Sequence, residues 1–199
     1  NFIDGLNGLI LGYFTSIILI IFYLNLYLDL GIEKNLIIYL IIILFYLFIL
    51  NINNKLFMGD SGSYSLGLLS GYFLIKIYEV NQEISPYFII LLLWYPCFEN
   101  LFSIIRKFSF KRSPIAADNN HFHQLLFFYA NKKFKTKKFN ANNLSSYLII
   151  LYNVLIFVIA CNDPSNTQLQ ILLTTFNIVV YLWIYFKLFS FKNNIKLYN

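Results

Sequence analysis

Long apolar runs constrain the fold of this chain more than any other feature of its sequence. A helix needs roughly 20 apolar residues to cross the hydrocarbon core of a bilayer, and residues 8–28 contain no charged side chain at all. Of the 199 residues, 59% are hydrophobic and 12% are charged, whereas a soluble domain carries about 25% charged residues. The composition therefore excludes an ordinary soluble domain.

The sequence predicts an all-α fold, a polytopic bundle of about six transmembrane helices in one membrane domain that covers residues 1–199. The six predicted spans are residues 8–28, 35–50, 64–80, 86–105, 144–161 and 168–189.

The basic residues predict how these spans are oriented. When the chain is threaded alternately through six spans, 13 of the 15 Lys and Arg residues fall on one side, and only Lys34 and Lys76 fall on the other. Loops rich in Lys and Arg face the cytoplasm in multi-pass proteins. We therefore predict a cell (inner) membrane protein with its basic side and its C-terminus in the cytoplasm. The net charge of +6 is then a topology signal, and no nucleic-acid partner is expected.

Three polar segments fall on this predicted cytoplasmic side: "NFIDGLNG" (1–8), "NINNKLFMGDSGS" (51–63) and "RKFSFKRSPIAADNNHFHQ" (106–124). Carboxylate and amide oxygens bind hard cations such as Mg²⁺, while Arg and His donate hydrogen bonds to phosphates. Gly and Ser let the backbone approach an anion closely. Together the segments predict magnesium-assisted handling of a diphosphate at the membrane surface.

Two of the polar segments also allow simpler interpretations. Asp60 either binds a metal or caps a helix that begins near Gly62. His121 and His123 are the two histidines of the chain. Contact with a phosphate or nucleotide suits them better than a structural zinc site, because no cysteine is near them in sequence. We expect a short interfacial helix to begin at this histidine pair, with its Phe and Leu side chains toward lipid.

Glu99 lies inside an apolar run, together with Pro96. An acid at membrane depth costs roughly 2.5–3.5 kcal/mol on insertion scales unless it is paired or hydrated. Glu99 and Pro96 together predict a broken helix at this point. Glu99 is either a functional intramembrane acid or a hydrogen-bonded structural one, and the sequence leaves both open.

The order and spacing of three motifs, "NFIDGLNGL", "KLFMGDSGSYSLG" and "RSPIAADNNHFHQLL", resemble those of the polyprenyl-phosphate N-acetylhexosamine-1-phosphate transferases. These enzymes form glycosyltransferase family 4 and are related to phospho-N-acetylmuramoyl-pentapeptide-transferase. The resemblance extends from residue 1 to about residue 126. It implies transfer of a sugar-1-phosphate from a UDP-N-acetylhexosamine to polyprenyl (undecaprenyl) phosphate, with release of UMP, at the start of surface polysaccharide synthesis. The alternative is a membrane transporter or channel subunit with a polar site on its cytoplasmic face.

The resemblance also implies roles for individual residues. Asp60 and Asp4 correspond to catalytic metal ligands for Mg²⁺ or Mn²⁺, and Glu99 corresponds to an acid that the family often has in this helix. The substrate-binding positions implied are Asn1, Asn7, Arg106, Arg112, Asp118, His121 and His123.

The chain departs from the family pattern in three places. Asn7 stands where many relatives have Asp, and Gln124 stands where a further His is common. An Asp-Asp pair that the family carries upstream is not in this sequence. We therefore expect this chain to be the C-terminal part of a longer transferase and to be inactive alone. The identity of the UDP-sugar and the existence of a homodimer stay open.

Overall fold

A computed structural model describes residues 5–111, 113, 119–134 and 138–197. Within these residues the chain forms eight α-helices and no β-strand, which confirms the predicted all-α fold class. The helices are α1 (Leu9–Leu24), α2 (Lys34–Ile52), α3 (Gly59–Val80), α4 (Pro86–Leu92), α5 (Trp94–Ser109), α6 (Phe122–Phe134), α7 (Lys138–Cys161) and α8 (Thr167–Leu197).

Several of these helices have the length and composition of membrane spans. Among the described residues, three segments qualify individually: α2, Ala141–Cys161 of α7, and Thr167–Asn194 of α8. Helices α4 and α5 qualify together as a pair bent by 72°, and α1 is a shorter apolar helix. The structure is thus an all-α membrane bundle. Helices α4–α5 and α7 correspond to the predicted spans of residues 86–105 and 144–161. The number of spans stays a prediction.

The break between α4 and α5 has an identifiable chemical cause. Pro96 has no N–H group, so it cannot donate to the carbonyl of Leu92 four residues earlier. That carbonyl instead accepts a hydrogen bond from the Tyr13 hydroxyl at 2.8 Å. Tyr13 is fully buried, and its bond ties α1 to the bend. The broken helix predicted from Pro96 is confirmed.

Asparagine side chains hold together one end of the bundle, which we call the site end. The N–H of Gly8, just before α1, donates to Oδ1 of Asn51 near the end of α2. The N–H of Asn7 donates to Oδ1 of Asn142 in α7 at 2.8 Å, and its Nδ2 donates to Oδ1 of Asn54 at 2.5 Å. We call Asn7, Asn51, Asn54 and Asn142 the asparagine clamp. It connects the start of α1 to the end of α2 and to α7.

Hydrogen bonds also connect the loops at the opposite end. Nδ2 of Asn81 donates to the carbonyl of Asp29 at 2.8 Å, and the N–H of Ser85 donates to the carbonyl of Pro164 at 3.0 Å. The loops after α1, α3 and α7 therefore meet there. The start of α1 and the end of α2 thus lie at the site end, and the ends of α1, α3 and α7 lie at the opposite end.

Helix α6 starts inside the bundle and not at its surface. Phe122 and Leu125 are buried, and the Phe122 ring stacks on Tyr181 of α8 with ring centroids 4.8 Å apart. The expectation that the Phe and Leu side chains of this helix face lipid is wrong for these two residues. The cause is the anchoring of the first residues of α6 to a buried carboxylate, which is described below.

Replacing Asn51 tests the asparagine clamp. Besides accepting from Gly8, its Nδ2 donates to the carbonyl of Leu56 at 2.7 Å, and the residue is buried. We expect Asn51→Ala to lower the free energy of unfolding by about 1–3 kcal/mol, because it leaves a buried N–H without a partner. Thermal unfolding in detergent measures the loss.

Asn53→Ala is the matched control for this test. Asn53 is exposed and donates only within its own helix, to the carbonyl of Ile49 at 2.7 Å. We expect its stability to stay within about 0.5 kcal/mol of the wild type. Equal losses in the two variants would contradict a specific role for Asn51.

Candidate functional site

The carboxylate of Glu99 is the buried centre of the described site. It is 1% exposed. Its Oε1 forms a hydrogen bond with Nδ1 of His121 at 2.9 Å and accepts from the N–H of Phe122 at 3.2 Å. Its Oε2 accepts from the Tyr181 hydroxyl at 2.7 Å. A buried carboxylate is tolerated only when such donors compensate for the loss of water. The described partners of this acid are thus the histidine segment and α8.

The two histidines lie side by side at the start of α6. Their rings are nearly parallel, with centroids 5.7 Å apart and an interplanar angle of 14°, and both are buried. Among the described residues, Nδ1 of His123 has no hydrogen-bond partner. Burial lowers the pKa of His123 to about 4. This imidazole is therefore neutral at pH 7.

The first and third sequence motifs touch at His123. A Cβ built on Gly5 would collide with the His123 imidazole, so only glycine allows this close approach of the backbone. Gly5 belongs to "DGLNG" and His123 to "HFHQ". The structure thus brings together two motifs that are more than a hundred positions apart in sequence.

Buried cations lie in the last turns of α5. Arg106 is 8% exposed, and its Nη2 donates to Oγ of Ser103 at 3.3 Å. Its guanidinium carbon lies 6.0 Å from the centre of the Tyr185 ring. Lys107 is also buried, and both cations are favoured at a helix C-terminus by its partial negative charge. Arg106 therefore lies beside Tyr185 of α8, and its assignment to phosphate binding stays a prediction.

The last helix supports the loop that precedes the histidines. Nζ of Lys192 donates to the carbonyl of Asn119 at 2.6 Å and to Oδ1 of Asn120 at 2.8 Å. The Tyr185 hydroxyl donates to the carbonyl of Asn120 at 3.1 Å. Sequence reasoning assigned Lys192 to topology alone and did not single out either tyrosine of α8.

Asp60 lies in the first turn of α3 and is exposed. The helix begins at Gly59, which has a φ of 61°, and no side chain caps it. The interpretation of Asp60 as the cap of a helix beginning near Gly62 is therefore wrong. Among the described residues, nothing forms a hydrogen bond or salt bridge with the Asp60 side chain. Its carboxylate is available to a ligand.

Asn7 has a structural role in this fold. Its N–H and its amide nitrogen both belong to the asparagine clamp. Its amide oxygen is the atom that could reach a substrate or metal, so its assignment to substrate binding stays a prediction.

Four predicted site residues, Asn1, Asp4, Arg112 and Asp118, lie outside the described residues. Within the described part of the chain, no group of three His, Cys, Asp or Glu residues is close enough together to hold a metal ion. The metal site implied by Asp60 and Asp4 therefore stays a prediction.

The fold and the site define a helical membrane protein in which described residues of the sequence motifs meet at one end of the bundle. Residues 1–78 match the family model described as Glycosyl transferase family 4. This match confirms the resemblance predicted from the motifs, and it covers the first two of them. It supports a polyprenyl-phosphate sugar-1-phosphate transferase kind of function. No curated protein and no solved structure matches the chain significantly.

The burial of His123 predicts how stability depends on pH. Between its ordinary pKa of 6.5 and the folded value of about 4, the unfolded chain binds a proton at this imidazole and the folded chain does not. Stability should therefore fall as the pH falls through this window, by roughly 2 kcal/mol at pH 5 relative to pH 8. Thermal unfolding across this range measures the change.

His123→Gln is the control for this pH dependence, because glutamine keeps polar atoms but does not titrate. We expect its stability to decrease less than that of the wild type between pH 8 and pH 5. An identical decrease in the two proteins would show that other groups cause it.

Proposed function

We propose that this protein transfers an N-acetylhexosamine-1-phosphate, or a related sugar-1-phosphate, from a UDP-sugar to polyprenyl phosphate in the cell (inner) membrane. An oxygen of the polyprenyl phosphate attacks the phosphorus that bears the sugar. The bond from that phosphorus to the bridging oxygen breaks, and UMP leaves. The product is a lipid-linked diphosphate sugar, which begins a surface polysaccharide.

One observation carries this proposal, namely the convergence of the motifs at the site end. Gly5 contacts His123, and the asparagine clamp connects the residues next to Gly5 to the segment that leads into Asp60. The family match of residues 1–78 supports the same kind of chemistry.

The described residues are compatible with magnesium. Mg²⁺ keeps several water ligands and binds through one or two carboxylates together with substrate phosphates. An exposed carboxylate without other partners, as in Asp60, suits this mode of binding, and Asp4 would be the second ligand. When bound, the ion would neutralise charge on the diphosphate and on the departing UMP.

The chain's own residues would bind and orient the two substrates. Arg106 and the histidine pair would contact phosphate or nucleotide groups. Guanidinium N–H groups donate to phosphate oxygens, and each imidazole nitrogen donates or accepts according to its tautomer. The outward apolar surface would keep the lipid acceptor beside the bundle. Tyr39 is 62% exposed and Ile42 is 60% exposed on α2, and both would lie in hydrocarbon. Positioning of the two substrates would then supply much of the catalysis.

The transporter or channel alternative depended mainly on Glu99 as a group on a path through the bilayer. Both oxygens of Glu99 already accept hydrogen bonds from protein donors. A permeant ion would have to displace these donors, so we favour the transferase.

A transfer assay tests the proposed reaction and the role of Asp60. Membranes with the full native chain would receive radiolabelled UDP-N-acetylglucosamine, polyprenyl phosphate and Mg²⁺. We expect label in the lipid phase and release of UMP. We also expect Asp60→Asn to lower the rate by about 100- to 1,000-fold, as is usual for losing one electrostatic contact to the transition state.

Asp29→Asn is the matched control for Asp60→Asn, since Asp29 is an exposed carboxylate at the opposite end. We expect it to retain the wild-type rate. If only a UDP-deoxy-sugar supports transfer, the proposed reaction is correct and its donor substrate is that sugar nucleotide. If no UDP-sugar supports transfer by the folded protein, the proposed function is wrong.

Cysteine labelling tests the proposed cytoplasmic position of the site end. Ser61 next to Asp60 and Glu83 at the opposite end are both exposed. In a Cys97→Ser background, we expect a membrane-impermeant maleimide to label Glu83→Cys in spheroplasts and Ser61→Cys only in inverted vesicles. The reverse pattern would place the site end outside the cell.

A further inference from the structure

The hydrogen bonds of Glu99 determine which nitrogen of His121 carries a proton. A carboxylate only accepts hydrogen bonds. Oε2 of Glu99 accepts from the Tyr181 hydroxyl and Oε1 accepts from the N–H of Phe122. Nδ1 of His121 lies 2.9 Å from the same Oε1, and opposite a carboxylate it takes the donor role. The partner of one ring nitrogen sets the tautomer and the orientation of an imidazole.

This constraint extends from the interior of the bundle to the site end. The ring of His121 stacks on that of His123, and His123 contacts Gly5 of the first motif. Glu99, His121, His123 and Gly5 therefore form a continuous series of contacts. Glu99 itself is buried, and both of its oxygens have hydrogen-bond partners among the described residues.

We propose that Glu99 is a positioning residue: it keeps Nδ1 of His121 protonated and fixes the planes of both imidazoles, while Tyr181 holds its second oxygen. The proposal rests on the proposed function for its kinetic consequence only. The assignment of the proton can be tested without any enzyme activity.

The two histidines make a direct spectroscopic test possible. With ¹⁵N-histidine as the only label, the full native chain in lipid vesicles gives ring signals from these two residues and from any histidines outside this sequence. His121→Gln and His123→Gln assign the signals. We expect Nδ1 of His121 to be protonated in the wild type and to lose this signature in Glu99→Gln, because an amide has one acceptor oxygen for three donors.

The kinetic test uses three variants. We expect Glu99→Gln to lower kcat by about 10- to 100-fold, which is typical when a group that orients a catalytic histidine is lost, with KM for the UDP-sugar changing less. Tyr181→Phe removes one donor but leaves the carboxylate and its bond to His121. Tyr152→Phe is the matched control, since its hydroxyl donates to Oδ1 of Asn177 at 2.6 Å, away from the histidines. Tyr152→Phe should keep kcat within about threefold of the wild type, and Tyr181→Phe should lose less than Glu99→Gln.

The outcomes separate a positioning role from a structural one. Loss of the Nδ1 proton and of kcat in Glu99→Gln, with the proton retained in Tyr181→Phe and kcat retained in Tyr152→Phe, supports the proposal. An unchanged His121 signal in Glu99→Gln overturns it, and so do equal losses of kcat in all three variants. Should Glu99→Gln fail to fold, the wild-type spectrum decides, because an unprotonated Nδ1 of His121 contradicts the proposal. A Glu99-dependent proton in a protein without transferase activity supports the positioning and overturns the proposed function.

Discussion

The absence of water in the hydrocarbon core is the constraint on which this structure depends. Each backbone and side-chain polar group at membrane depth needs a partner from the protein. The chain meets this requirement with helices and, where the helices are interrupted, with specific side chains. Tyr13 satisfies the carbonyl that Pro96 leaves open, and Asn153 accepts from the indole N–H of Trp94 at 2.8 Å. Glu99 follows the same rule, because its two carboxyl oxygens have three hydrogen-bond partners from the protein.

Features that depend on neighbouring residues could be predicted from the sequence. In lipid, a helix satisfies the hydrogen-bonding groups of its backbone internally. Long apolar runs in the sequence therefore predicted the all-α fold class. The break near Pro96 followed from the chemistry of proline. The bend itself falls ahead of the proline, between Leu92 and Trp94. The motif order was specific enough to predict the family that residues 1–78 match.

Features that depend on how distant helices pack could not be predicted. Glu99 stood out because a charge in an apolar run is unusual, but its partner Tyr181 is 82 positions away and looks like any aromatic residue of a span. The asparagines of the clamp were similarly hidden. Asn7 was interpreted through its place in a motif, and Asn142 had no distinguishing neighbour. Their roles follow from the meeting of three helix ends, which no local pattern encodes.

The asparagine clamp has a consequence for a surface that is expected to handle anions. Its bonds join neutral amides, so dissolved salt weakens them little and changes in pH do not break them. Ion pairs in the same place would compete with incoming phosphates for the same cations and would weaken as the ionic strength rises. An uncharged framework avoids both effects. The alignment of the helix ends should therefore be insensitive to the electrolyte around it.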